Sequence, residues 1–183
     1  IGWILFGESL TRKGIIGICL ALSGIVILFW GDLIQDPGNF DGNVLAFISG
    51  ILAGLYILGG RKLRKEISLP TYALVVYLSS AITMWVVVIV QDLEYRNIPN
   101  SDFQIFFLMA LVPTLLGHTM QNWALAFLPA YVVSITLLTE PVGSGILAWY
   151  FFEEVPSLGV FIGGLIVLFG VYMVALSEKE SNL

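Results

Sequence analysis

The stretch TLLTEPVGSGILAWYFFEE, residues 136–154, is apolar enough for a buried helix until its last two residues, yet Glu140 and Pro141 stand in its middle. In a soluble protein it would be a core helix; in a membrane protein it is most of a span. Composition decides between the two. Of 183 residues 58% are apolar and only 11% charged, with a mean hydropathy of +0.93. A soluble domain carries about 25% charged residues, and at this length it has too little interior to hide so much apolar surface. The chain therefore reads as an all-α membrane protein. Its net charge of −5 is scattered and includes no basic patch, so nucleic acid is not an expected partner. Cys19, the single cysteine, excludes an intrachain disulfide and a multi-cysteine metal site; it is expected to pack as a small apolar residue.

Working outward from Glu140, six segments have the roughly 20 apolar residues a span needs: 14–31, 43–60, 72–91, 103–127, 130–152 and 158–176. Residues 1–7 read as the stub of an earlier span. The chain opens IGWILFGE, without an initiator Met or a signal-peptide layout, and is expected to be a fragment. Gly, Pro, Asn and Asp gather in several connections, including DLIQDPGNFDG and QDLEYRNIPNSD. With alternating loops, one side collects Arg12, Lys13, Arg61, Lys62, Arg64, Lys65 and Lys179, and the other only Arg96. That bias places the Arg61–Lys65 loop and the C-terminus in the cytoplasm of a plasma (inner) membrane protein.

ILFGESLTRKGIIGICLALSGIVIL, residues 4–28, repeats in YFFEEVPSLGVFIGGLIVLFGVYMV, residues 150–174, at an offset of 146. The identities are Phe6/Phe152, Glu8/Glu154, Ile16/Ile162, Gly17/Gly163, Leu22/Leu168 and Gly24/Gly170, while Thr11 falls on Ser157 as matching N-caps. Five crossings separate Glu8 from Glu154. An odd number turns the second copy over, which is the inverted-repeat plan of many secondary transporters.

The run from ALAFLPAYVV to GVYMV, residues 124–174, resembles the last two helices of an EamA domain of the drug/metabolite transporter superfamily. The resemblance is carried by Pro129-Ala130, the region of Ser134, Glu140-Pro141-Val142, Glu154, Gly163 and Gly170. The opening GESL…GIIGICLALSGIVIL resembles the end of a preceding EamA domain. One departure stands out: Gly7 precedes Glu8, but Glu153 precedes Glu154. The resemblance implies a multi-pass helix bundle of inverted five-helix repeats. Residues 1–31 would then be the tail of the first repeat, 43–176 the second repeat, and 177–183 a cytoplasmic tail. A missing N-terminal repeat of the same chain and a small-molecule substrate are the partners it implies, in a lipid bilayer; protons are a further expected partner, through Glu140 or His118. The expected activity is export of a small, amino-acid-like or other organic solute by alternating access, without a cofactor and without enzymatic turnover.

Glu140 has eleven residues before it back to Pro129 and twelve after it to Phe152, so it lies near mid-membrane. A charge there is disfavoured by about 2.5 to 3.5 kcal/mol, which is why such residues face a partner or a cavity. Thr136, Glu140 and Ser144 follow at helical spacing as a polar stripe. Pro141 has no N–H for the carbonyl of Leu137 and favours a bend. One reading is a substrate or proton site beside a bend; the other is a buried, protonated glutamate that ties helices together. In VPTLLGHTMQNWAL, Thr114, His118 and Asn122 form a second stripe, with Gln121 adjacent. Histidine changes charge near neutral pH, which suits proton coupling, though a lone histidine also serves as a hydrogen-bonded structural residue. Tyr56 either lines a cavity or packs, and Gly50 and Gly54 have the spacing of close helix packing. HExxH, GxSxG and P-loop signatures are absent, and no acidic pair at metal spacing lies within a span. A membrane-embedded enzyme using Glu140 and His118, or a membrane interaction protein without transport, are the rival functions.

Overall fold

A computed structural model describes residues 10–35, 40–93 and 98–181. The stub at residues 1–7, Glu8, and the loop residues Asp36, Glu94 and Arg96 lie outside the described residues. Among those described, six helices are long and apolar enough to cross a membrane: Arg12–Trp30, Val44–Leu63, Leu69–Val90, Asn100–Ala124, Ala130–Phe152 and Leu158–Glu178. Every bound falls within three residues of the segment read from hydropathy. Large apolar side chains such as Phe47, Ile89, Val90, Phe107, Tyr150 and Phe152 point outward. A surface of this kind matches a helical protein whose solvent is lipid. The chain is an all-α membrane protein.

Two compact units divide it, Ile1–Leu58 with Pro129–Leu183, and Gly59–Leu128. The first holds α1 (Arg12–Gln35) and most of α2 (Phe40–Leu63). It also holds a span in three pieces, α6 (Ala130–Thr136), a 3₁₀ turn (Leu137–Thr139) and α7 (Glu140–Phe152), followed by α8 (Leu158–Ser181). The second holds the end of α2, then α3 (Leu69–Val90), α4 (Asn100–Met109), a π-helical segment (Ala110–His118) and α5 (Thr119–Ala124). The first two residues of the segment assigned to a tail, and three more, are still helical, because α8 runs on to Ser181.

In the first unit α1 and α8 form a seam built on glycine. A Cβ added at Gly17 would stand 2.7 Å from the carbonyl oxygen of Gly170, and one at Gly163 2.7 Å from that of Gly24. The reciprocal distances, Gly24 to Gly163 and Gly170 to Gly17, are 2.8 and 2.6 Å. There is no room for a methyl group, so only glycine allows this backbone approach. The pairing of Gly17 with Gly170 and Gly24 with Gly163 runs antiparallel, and moving both members by the repeat offset turns one pair into the other. The helix starts obey the same offset. Thr11 Oγ1 accepts from the Gly14 amide at 3.0 Å and Ser157 Oγ from the Val160 amide at 3.3 Å, so the two expected caps are both made. Against this seam lies α6: Val132 and Ile135 bury beside Ala21 and Val174, flanked by Ile18, Tyr131, Leu138 and Val171. The Tyr131 hydroxyl donates to Glu178 Oε2 at 2.5 Å and ties the start of α6 to the end of α8.

Two packing expectations fail. No described residue lies within 4 Å of a Cβ built at Gly50 or Gly54, so their spacing marks no helix contact among the described residues. Cys19 is exposed on α1: the seam takes the face carrying Gly14, Gly17, Ala21 and Gly24, and Cys19 falls off it.

In the second unit α3 starts at a Ser68 cap, whose Oγ accepts from the Thr71 amide at 3.4 Å, with Pro70 in the first turn where its missing N–H costs nothing. The end of α2 docks on the end of α5. Arg61 Nη1 donates to the Leu125 carbonyl and Arg64 Nε to the Asn122 carbonyl, both at 3.0 Å, and Arg64 Nη1 also reaches the Ile67 carbonyl. Two guanidinium groups thus serve the carbonyl end of α5, where positive charge is favoured. Gly60 allows the approach, since a Cβ there would be 2.7 Å from Leu125 Cδ1.

Candidate functional site

Glu140 opens α7, directly after the 3₁₀ turn. Pro141 cannot serve the Leu137 carbonyl in the i→i−4 pattern, and the Glu140 amide takes that carbonyl instead, one residue earlier. The break therefore lies where the missing N–H predicts it. Hydroxyls reinforce the tight winding: Thr136 Oγ1 donates to the Val133 carbonyl and Thr139 Oγ1 to that of Thr136, both at 2.7 Å, and Ser144 Oγ to that of Pro141 at 3.1 Å. Such back-bonding bends helices. It also leaves the hydroxyl oxygens of Thr136 and Ser144 able to accept, one before and one after Glu140 along the span. All three side chains are exposed, and together they suit a ligand that donates hydrogen bonds or carries positive charge.

The two halves of this span differ in how they are held. Ala130, Val132, Val133 and Ile135 of α6 are buried, while α7 has no buried residue. Between α7 and α8 is a cavity of about 630 Å³, lined by apolar groups including Val142, Ile146, Trp149, Phe161 and Leu165. Glu140 does not line it. One half-helix is fastened to the α1–α8 seam, and the other, beyond the joint, borders open space.

The second stripe is broken up by a different irregularity. Pro113 leaves the Met109 carbonyl without its i+4 donor, and here the helix widens. Thr114 Oγ1 donates to the Met109 carbonyl at 3.1 Å. Where the π segment gives way to α5, the Tyr77 hydroxyl of α3 donates to the Thr114 carbonyl at 3.1 Å and pairs with Thr119 Oγ1 at 2.8 Å. His118, the last π residue, is exposed; Gln121 is half-buried and Asn122 fully buried. Asn122 is thus enclosed at the docked end of α5, its carbonyl holding Arg64, while His118, one turn earlier on the same span, is exposed. Tyr56, on α2, is half-buried. Glu140, Thr136 and Ser144 belong to the first unit, His118, Gln121 and Asn122 to the second. Tyr77 escaped the sequence reading, and the only signal for it is a tyrosine level with a proline-threonine pair on the neighbouring span.

The model of the EamA-like transporter family matches residues 41–176. The chain belongs to this family. Among curated proteins it is similar to an uncharacterized transporter of Archaeoglobus fulgidus, with 22% identity over 180 residues, 95% of this chain and 61% of the relative. The chain thus spans about three fifths of the length of that relative. No solved structure matches it. The EamA match includes the whole broken span and the π segment, so both irregular helices belong to the family domain rather than to an appended element.

Proposed function

We propose that this EamA domain moves a small organic solute across the plasma membrane by alternating access, in the direction of export, with Glu140 on the solute path. The observation that carries the reading is the joint at Leu137–Thr139, which leaves a carboxyl group at a break in the middle of a span between a buried half-helix and one without a buried residue. Broken helices at membrane depth are tolerated where they line a cavity or are covered by protein, and transporters place their sites on them. Thr136 and Ser144, on either side of Glu140 in the sequence, supply acceptors, and His118, Gln121, Asn122 and Tyr56 are the further candidates for binding or coupling. The repeat offset between α1 and α8 supports an inverted pair of repeats, in which a first repeat provides the facing wall. The lysine and arginine bias supports a cytoplasmic Arg61–Lys65 loop and C-terminus. Protons are the coupling ion in this scheme, carried by Glu140 or His118.

The test uses the complete protein in an export-deficient host. Growth is scored on a panel of toxic amino-acid and metabolite analogues, with Glu140→Gln compared at equal membrane abundance. Resistance to one chemical class, lost in the variant, names the solute. Resistance retained at every pH in the variant removes Glu140 from both path and coupling.

A further inference from the structure

The π segment poses a question that the proposed transport site leaves open. Nine residues, Ala110–His118, are wound more loosely than an α-helix, although π winding is rare and mostly confined to single turns. Pro113 explains why the winding changes, because it withholds an N–H from Met109, and the Thr114 hydroxyl supports the new arrangement from inside the helix. Neither explains why the segment stays loose until His118 and then returns to α. A group from another helix touches the backbone inside the segment and a side chain at its boundary. The Tyr77 hydroxyl donates its single proton to the Thr114 carbonyl and accepts from Thr119 Oγ1, bridging the two ends of one wide turn. The Thr119 amide turns to the Leu116 carbonyl.

We infer that Tyr77 is a positioning residue that holds the π register and so sets the direction in which His118 and Gln121 project from their span. The inference rests on the transport reading for the role of those two residues, but not for the register itself. A wide turn holds one residue more than an α turn, so everything after it is rotated by one position, about 100° at 3.6 residues per turn. The far end is pinned independently, because buried Asn122 and Leu125 give their carbonyls to Arg64 and Arg61. A register set at Thr114 and a docked end at Asn122 leave the stretch between them, with His118 in it, to absorb any slip. Removing the hydroxyl lets the turn tighten and carries His118 off its present face.

The experiment scans nitroxide labels through residues 115–121 of the full chain in lipid nanodiscs, after Cys19→Ala removes the native thiol. Collision with oxygen reports the buried and exposed faces whether the surroundings are lipid or water. The parent should give low collision at the half-buried Thr119 and Gln121 and high collision at Met120. In Tyr77→Phe the pattern should advance by one residue, with unchanged protein yield and melting. Thr119→Val, which keeps the ring in place and removes only its partner hydroxyl, should shift the pattern in the same direction. An unchanged phase in both variants overturns the inference, as does a uniform rise in mobility without a shift. The scan uses no solute, so its result stands apart from the growth assay: an unshifted pattern leaves the transport reading intact, and failed export leaves the register assignment intact.

Discussion

The Glu140 amide donates to the carbonyl of Leu137, the carbonyl that an uninterrupted helix would pair with residue 141. The carboxyl group and the break therefore share one residue: the residue whose amide repairs the backbone also bears the carboxyl group. Pro141→Ala restores an N–H to the i→i−4 ladder and should remove the 3₁₀ turn. We expect a protein more stable by about 1 kcal/mol, with export reduced at least tenfold. Thermal melting in detergent beside the growth assay checks both halves of this prediction; a variant that is stabilised and still exports at full rate would separate the joint from the function.

Small residues are required at the α1–α8 seam, whereas Gly54 stands in open space. A Cβ at Gly170 would lie 2.5 Å from the Ala21 nitrogen and 2.6 Å from the Gly17 oxygen, both backbone atoms that cannot step aside. Gly170→Ala should destabilise by about 2 kcal/mol. Gly54→Ala, with open space around it, should stay within about 0.5 kcal/mol of the parent. Unfolding by a graded denaturing detergent gives the comparison, and equal effects at the two sites would contradict the seam.

Glu153 ends α7 with φ of 57°, a left-handed conformation in which glycine is favoured. The repeat offset places Gly7 on this position, where the second copy has glutamate. Glu153→Gly should stabilise by about 1 kcal/mol, the scale of the left-handed penalty for an L-residue. The expected sign is positive in thermal melting even though the substitution adds backbone freedom; a loss of stability would count against the assigned backbone.

Arg64 is buried on the carbonyl end of α5. Arg64→Ala removes its bonds to the Asn122 and Ile67 carbonyls and should cost about 2 kcal/mol. Lysine at this site should restore less than half, since a point ammonium cannot reproduce the two directions of the guanidinium fork. Melting of the three proteins side by side is sufficient, and full rescue by lysine would reduce the residue to a topology charge.

Much of this was legible in the sequence. Hydropathy placed the spans within three residues, because length and apolarity are what the bilayer demands. The caps at Thr11 and Ser157 followed from a repeat and a residue type, and the break at Leu137 from a rule about one missing N–H. The π segment did not follow, although Pro113 removes an N–H in the same way. A freed carbonyl can be repaired by tightening or by widening, and what decides is a hydroxyl at Thr114 and a tyrosine from another helix. Such partners are not neighbours in sequence. Asn122 and His118 differ in burial for a related reason: they stay one turn apart on the helix, but only Asn122 lies where Arg64 docks. Gly50 and Gly54 had the right spacing and nothing to meet, which spacing alone never reveals.

The seam between α1 and α8 has the bookkeeping of a two-fold dimer, although both halves lie on one chain. In an isologous interface each contact occurs twice, with the partners exchanged. Gly17 against Gly170 and Gly24 against Gly163 are such a pair. Neither helix can then be altered alone: a side chain that grows on one meets the backbone of the other at a point whose counterpart is already full. Substitutions along the two helices should accumulate in matched sets, and a change tolerated on one should become costly when its counterpart is left behind.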